Sequence, residues 1–241
     1  MFGANKVYGK GKVIESPSLL VNSIFPTIQG EGPHAGVPAV FLRLAKCNLR
    51  CTFCDTEFEH GVGYDPEALC SAIDGHISDT GFGGRLLVIT GGEPLLQDLL
   101  PFLDLFFERF GDQWWVQIET AGTVWQGNLE TLVLRGYVSF VCSPKTKSVH
   151  PEIVKYCRDW KYIVASDDFD PDDGLPIKGT QPNLPDYKVY RATRVSDTIW
   201  VQPKDQQDVE KNEKNTWWAA QLAMSKNYRL SVQVHKIVGL E

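Results

Sequence analysis

Three cysteines, Cys47, Cys51 and Cys54, fall within eight positions in CNLRCTFCDTEF, residues 47–58. Thiolates are soft ligands, and three this close can hold three irons of a cubane cluster or sit on zinc. A structural zinc site closes all four positions, usually with two ligand pairs, and a ferredoxin ligates every iron of its cluster. This loop has no fourth Cys or His; Cys70, Cys142 and Cys157 are scattered singly, and His60 is the one histidine near it. The spacing predicts a cluster with one iron open to a ligand that is not protein, with zinc as the alternative.

Other stretches could meet such a ligand. GGEP at 91–94 follows an apolar run, and two glycines at a strand's carboxyl end permit close approach of a polar group. Gln29, Gly30, Glu31 and Gly32 form a second Gly-rich stretch, which lines a pocket or makes an ordinary turn. Arg43 interrupts an otherwise apolar strand, where an unpaired charge is costly, so it is salt-bridged or aimed at an anionic ligand such as a carboxylate.

The elements that must position these residues are legible from periodicity. Val21 to Ile28, Ala39 to Leu44, Arg85 to Thr90, Trp115 to Glu119, Tyr137 to Cys142, Trp160 to Ala165 and Thr198 to Gln202 read as strands. Asp65 followed by Pro66 caps a helix running to Ser78, in which Cys70 is a helix residue rather than a ligand. Further helices are expected over Leu95 to Phe110, Leu129 to Leu134, Ile153 to Cys157 and Lys211 to Lys226, and YRLSVQVHKIVGLE closes as a strand. Strand, polar loop and helix alternate, which predicts an α/β fold: an incomplete (βα) barrel of about six strands with its site at their carboxyl ends. Residues 1–20 read as a loosely packed lead-in to a single domain over 21–241. The Asp-, Pro- and Gly-rich stretch at 166–194 reads as a surface excursion away from the chemistry.

Composition narrows the partners. With 43% hydrophobic residues in 241, the chain can build a sizeable core. A net charge of −6 argues against a nucleic-acid surface, and no apolar run reaches membrane-span length. The N-terminus shows no basic segment leading into an apolar run, so a cytoplasmic protein acting on a small molecule is expected.

The cysteine spacing, with Phe53 before the last Cys, resembles the signature of the radical S-adenosylmethionine (SAM) superfamily. The wider set FPTIQGEGPHAGVPAVFLRLAKCNLRCTFCDTEF, TGGEPLLQ, ETAG, SPK, VQP and VHKIVGLE is similar to 7-carboxy-7-deazaguanine synthases. That resemblance implies a homodimeric radical SAM lyase, served by an electron donor such as flavodoxin. It would turn 6-carboxy-5,6,7,8-tetrahydropterin into 7-carboxy-7-deazaguanine and ammonia for queuosine and related 7-deazapurines. It implies a 4Fe-4S cluster on Cys47, Cys51 and Cys54, and Mg2+ on Thr56. SAM would be surrounded by Phe53, Cys54, Asp55, Gly92, Ser143, Pro144, Lys145, Gln202, Pro203, Lys204 and Asp205, with Glu93 near its amino group. The pterin would meet Ile28, Gln29, Gly30, Arg43, Thr90, His235 and the last residue, Glu241. Bland readings stand beside these: His235 as a structural histidine, Glu119 and Thr120 as loop-shaping residues, Lys145 as a solvated lysine. The rivals are another radical SAM enzyme, such as a glycyl-radical activase, and a non-catalytic metal-binding module.

Overall fold

The computed structural model describes residues 6–8, 13–14, 16–54, 56–181 and 186–240. Asp55 and Glu241, both expected at the site, lie outside the described residues. Strand β1 (Leu19–Ile28) pairs antiparallel with β2 (Pro38–Leu44) and, on its other side, with β3 (Val62–Tyr64). From β2 onward the strands run parallel: β4 (Leu86–Gly91), β5 (Trp115–Thr120), β6 (Val138–Cys142), β7 (Asp159–Val164), β8 (Thr198–Pro203) and the two-residue β9 (Arg229–Leu230). The order is β3-β1-β2-β4-β5-β6-β7-β8-β9. Among the described residues β3 and β9 do not pair, so the sheet curls into an incomplete barrel.

Side chains alternate across each strand, and the two faces have opposite character. The outward set, including Leu42, Leu44, Leu87, Ile89, Val116, Ile118, Phe140, Trp160 and Tyr162, joins one buried apolar cluster. The helices α1 (Pro66–Thr80), α2 (Leu100–Phe110), α4 (Pro151–Tyr156) and α5 (Val209–Lys226) supply its other half, while the short α3 (Glu130–Leu134) adds Leu132. Each large side chain buried there stabilises the fold by about 1.5–3 kcal/mol. The inward set is apolar at its amino-terminal end, where Ala39, Leu86 and Val88 cluster, and keeps Val141 and Ile163 among polar residues further up. Above them the same face carries Arg43, Thr90, Glu119, Lys161 and Gln202, close to the carboxyl ends of the strands.

Local chemistry sets the helix ends. Asp65 accepts from the Ala68 N–H at 2.8 Å, with Pro66 at the first helical position, and Gly81 in the left-handed conformation (φ 62°) ends α1.

Three expectations need correction. The helix expected over Leu95 to Phe110 is broken: a 3-10 turn spans Pro94–Leu96 and α2 begins at Leu100. Two buried glutamines favour the break. Gln97 bonds to both the N–H and C=O of Leu20 and to the Ala45 carbonyl, while Gln126 bonds to the Leu95 and Gln97 carbonyls and the Leu99 N–H. Side-chain amides thus satisfy backbone groups that a helix would have satisfied itself. The closing segment is not a strand beyond β9; Val234–Ile237 forms a one-turn helix, α6. Finally, β1 starts inside the expected lead-in, and Tyr8 donates its N–H to the Cys47 carbonyl at 2.7 Å, so described parts of 1–20 pack on the domain.

Candidate active site

The loops leaving β2, β4, β5, β6, β7 and β8 share one rim. The cysteine loop leaves β2, and the glycines after β4 hold it in place. A Cβ on Gly91 would lie 2.1 Å from the Leu44 carbonyl oxygen, and one on Gly92 would lie 1.9 Å from that of Lys46. The N–H groups of Gly92 and Glu93 donate to those two carbonyls at 3.0 and 2.9 Å. GGEP therefore packs directly on the backbone that delivers Cys47. Lys46 itself has φ 74°, a conformation uncommon for a side-chain-bearing residue.

None of the three cysteines is in a disulfide. Cys47 is buried, and desolvation, with Glu93 nearby, pushes its thiol up to about 12. Its sulfur accepts from the Leu49 N–H at 3.4 Å, and the Cys51 sulfur accepts from Gln181 Nε2 at 3.3 Å. Donors aimed at sulfur suit thiolate ligands. Among the described residues no three His, Cys, Asp or Glu side chains gather round a single metal ion, while Cys51 and Cys54 are near enough to Cys47 to act on its thiol. As a donor set they fit three irons of a cubane. Cys70, Cys142 and Cys157 are buried, in keeping with structural roles.

Glu93, expected near the amino group of SAM, is also tied to the loops around it. It is fully buried, and its carboxylate accepts from Thr120 Oγ1 at 2.7 Å, Ala121 N–H at 2.8 Å and Leu95 N–H at 3.2 Å. Burial raises its pKa, while these bonds pull it down. It braces the GGEP loop to ETAG, which gives Thr120 its task.

Lys145 is not a solvated lysine. It donates to the carbonyl and the hydroxyl of Ser143, and desolvation lowers its pKa. Its ammonium lies 5.8 Å and that of Lys204 5.6 Å from the centre of the Phe53 ring. Phe53, Pro144, Lys145 and Lys204 line one cavity together with Thr180 and Tyr162. Asp205 is exposed and accepts from the Gln207 N–H, Asn212 and Lys236.

Inside the barrel mouth a polar network replaces the apolar core. Glu31 accepts from Lys161, from Gln202 at 3.1 Å and from Gln233 at 2.8 Å. Burial pushes its carboxyl up, but Lys161 and these bonds outweigh that and bring it down to about 2. Glu119 accepts from Gln29 at 3.0 Å, Gln117 at 3.2 Å and Thr90 at 3.4 Å, with Lys161 at 3.8 Å. The buried Oε1 atoms of Gln117 and Gln202 have no partner among the described residues. Arg43 donates to Thr56 Oγ1 at 3.2 Å and lies over the Phe25 ring. His235 packs on Gly30, where a Cβ would fall 1.8 Å from its Nδ1, and desolvation lowers its pKa. Ile28 stands at the end of β1, beside this network.

Lys161, Gln117, Gln233 and Thr180 are absent from the sequence-derived site. Lys161 could have been found as Arg43 was, a cation within the strand DWKYIV. Thr180 and Gln181 belong to the excursion, which is not remote from the chemistry: Thr52 donates its N–H to the Thr180 carbonyl at 2.9 Å.

An open parallel barrel with a three-cysteine loop after its first parallel strand and GGEP after the next is the framework of a radical SAM enzyme. The crystal structure of QueE from Escherichia coli matches with TM-score 0.61 at 25% identity, over 90% of this chain and 94% of that one. The sequence is 37% identical over 249 residues to the 7-carboxy-7-deazaguanine synthase of Rhodospirillum rubrum, covering 100% of both chains. It is 33% identical over 257 residues to that of Rickettsia prowazekii, covering 100% of this chain and 96% of the relative. No protein-family model matches. The chain belongs to the 7-carboxy-7-deazaguanine synthase family. The glycyl-radical activase and the metal-binding module gain no support from these relatives. No helix among the described residues is long and apolar enough to cross a membrane.

Proposed function

We propose that the chain converts 6-carboxy-5,6,7,8-tetrahydropterin into 7-carboxy-7-deazaguanine with loss of ammonia, on the route to queuosine and related 7-deazapurines. The observation that carries this reading is the polar barrel mouth directly below the cysteine loop. It offers a cation, Arg43, for a carboxylate, and a ring of amides and carboxylates from Gln29, Glu31, Glu119 and Gln202 for the edges of a flat heterocycle. When bound, a 4Fe-4S cluster on Cys47, Cys51 and Cys54, together with SAM, supplies a 5′-deoxyadenosyl radical able to take a substrate hydrogen.

The chain's own residues bind, orient and exclude water. Phe53, Ser143, Pro144, Lys145, Pro203 and Lys204 wall the SAM side, and Gly92 and Glu93 fix the loop between SAM and substrate. Thr90 holds Glu119 in place, and His235, whose charge burial disfavours, closes the substrate side over Gly30. Holding the reacting groups in register this way lowers the entropic part of the barrier. Thr56, bonded to Arg43, offers a hydroxyl to Mg2+, a cation that takes few protein ligands and leaves the rest to substrate and water. A homodimer, an electron donor such as flavodoxin and a cytoplasmic location complete the proposal.

The test is an anaerobic assay of reconstituted protein with reductant, SAM, Mg2+ and the pterin, following the deazapurine by mass spectrometry. Product with little net SAM consumption is expected. SAM cleavage without deazapurine would overturn the substrate and keep the radical SAM chemistry.

A further inference from the structure

Between β7 and β8, Thr180 and Gln181 bond three consecutive residues of the cysteine loop. The Arg50 N–H donates to Gln181 Oε1 at 2.9 Å, Gln181 Nε2 donates to the Cys51 sulfur at 3.3 Å, and the Thr52 N–H donates to the Thr180 carbonyl at 2.9 Å. One side-chain amide thus uses both its ends on the loop. The clamp is itself anchored: the hydroxyls of Thr180 and Tyr187 both donate to the Lys145 carbonyl, each at 2.8 Å. Gln181 is therefore held from one side by the SPK loop and reaches a cysteine sulfur on the other.

We propose that Gln181 is a positioning residue for the iron–sulfur cluster, orienting the Cys51 sulfur and making the cluster easier to reduce through its amide N–H. The physical ground is simple. Reduction adds one electron and no proton, so negative charge on the cluster and its sulfurs increases. A hydrogen-bond donor to sulfur stabilises the more negative form and raises the potential. The electron comes from the reductant, dithionite in the test below or a protein donor in the cell. The inference rests on the radical SAM reading of the three cysteines.

The test uses the reconstituted full chain and two variants. Gln181→Glu keeps an acceptor for the Arg50 N–H but turns the donor into an acceptor; Gln181→Met keeps length and removes both. Iron and sulfide content, circular dichroism and an EPR-monitored redox titration are read on all three. The expected result is intact folding and cluster content with a more negative midpoint. At a fixed poise the ratio of reduced to oxidised cluster should fall by about tenfold in Gln181→Met, about 59 mV for a one-electron couple, and further in Gln181→Glu. Unchanged midpoints in both variants overturn the inference while leaving the enzyme reading standing. So does loss of the cluster from both with the fold intact, which makes Gln181 a structural necessity rather than a tuning donor. If Gln181→Glu alone fails to fold, the Gln181→Met midpoint decides. Absence of a 4Fe-4S cluster from the parent chain would instead remove the enzyme reading, and this inference with it.

Discussion

The two faces of the sheet are built from the same strands by opposite rules. The outer face is closed by size and shape: Phe106 is fully buried and its ring lies 5.7, 4.8 and 5.5 Å from those of Phe102, Phe110 and Trp114. The inner face is closed by charge: Lys161 sits between Glu31 and Glu119 with only 9% of its side chain exposed. Apolar packing tolerates small shifts and fixes no unique chemistry. A buried charge network stands only while every partner is present, and it presents polar atoms that a ligand can use. The fold thus keeps its stability on one face and its selectivity on the other.

The sharpest way to break the outer face is Phe106→Ala. A cavity in that aromatic cluster should cost about 3–5 kcal/mol, read as a lower midpoint in urea with an unchanged slope. A loss below about 1 kcal/mol would mean that the layer collapses to fill the gap.

Lys161→Met tests the inner face at nearly constant volume. Removing the cation leaves two buried carboxylates facing each other, at a cost of about 3 kcal/mol. Unlike Phe106→Ala, it should also abolish turnover under conditions where the variant is folded. Adding Glu31→Gln should recover part of the stability but not the turnover. Equal stability of parent and Lys161→Met would show that the charges are not coupled.

Acid should act on the inner face first. Glu31 has its pKa brought down from 4.5 to about 2, so its contribution to stability is fully present above pH 4.5 and is lost as the pH falls towards about 2. Glu31→Gln should flatten the pH dependence of stability in that window relative to the parent, measured by urea unfolding at fixed pH values. Parallel curves for the two proteins would argue against the ion pair.

The smallest effect belongs to a helix end remote from both closures. Asp65→Ala removes the acceptor at the start of α1 and should cost about 1 kcal/mol, with activity unchanged. A change in activity would mean that α1 communicates with the rim.

How much of this was legible follows from the same contrast. Outward-facing residues obey periodicity, so the strands from Ala39 to Gln202 and the cap at Asp65 could be read directly. Cys47, Cys51, Cys54 and GGEP are local spacings and were equally readable, as was the oddity of Arg43. What periodicity missed are polar side chains whose partners lie far along the chain. Gln97 and Gln126 break a stretch that looks helical, because they satisfy its backbone groups from outside. Glu93 sits in a readable motif, but its bonds to Thr120 and Ala121 were not legible there. Thr180 and Gln181 lie in a stretch whose composition says only loop, and their value comes from the bonds that tie them to the Lys145 carbonyl and to the cysteine loop.

The bond between the Gly32 N–H and Ser231 Oγ joins residues 199 positions apart, and that between Gln233 and Glu31 spans 202. Contacts this distant in sequence are among the slowest to form, because the closure entropy of the whole intervening chain must be met first. The barrel mouth is held shut by residues from opposite ends of the described chain. Whatever loosens the segment leading into α6 opens that mouth, while the apolar layer and the cysteine loop keep their own contacts.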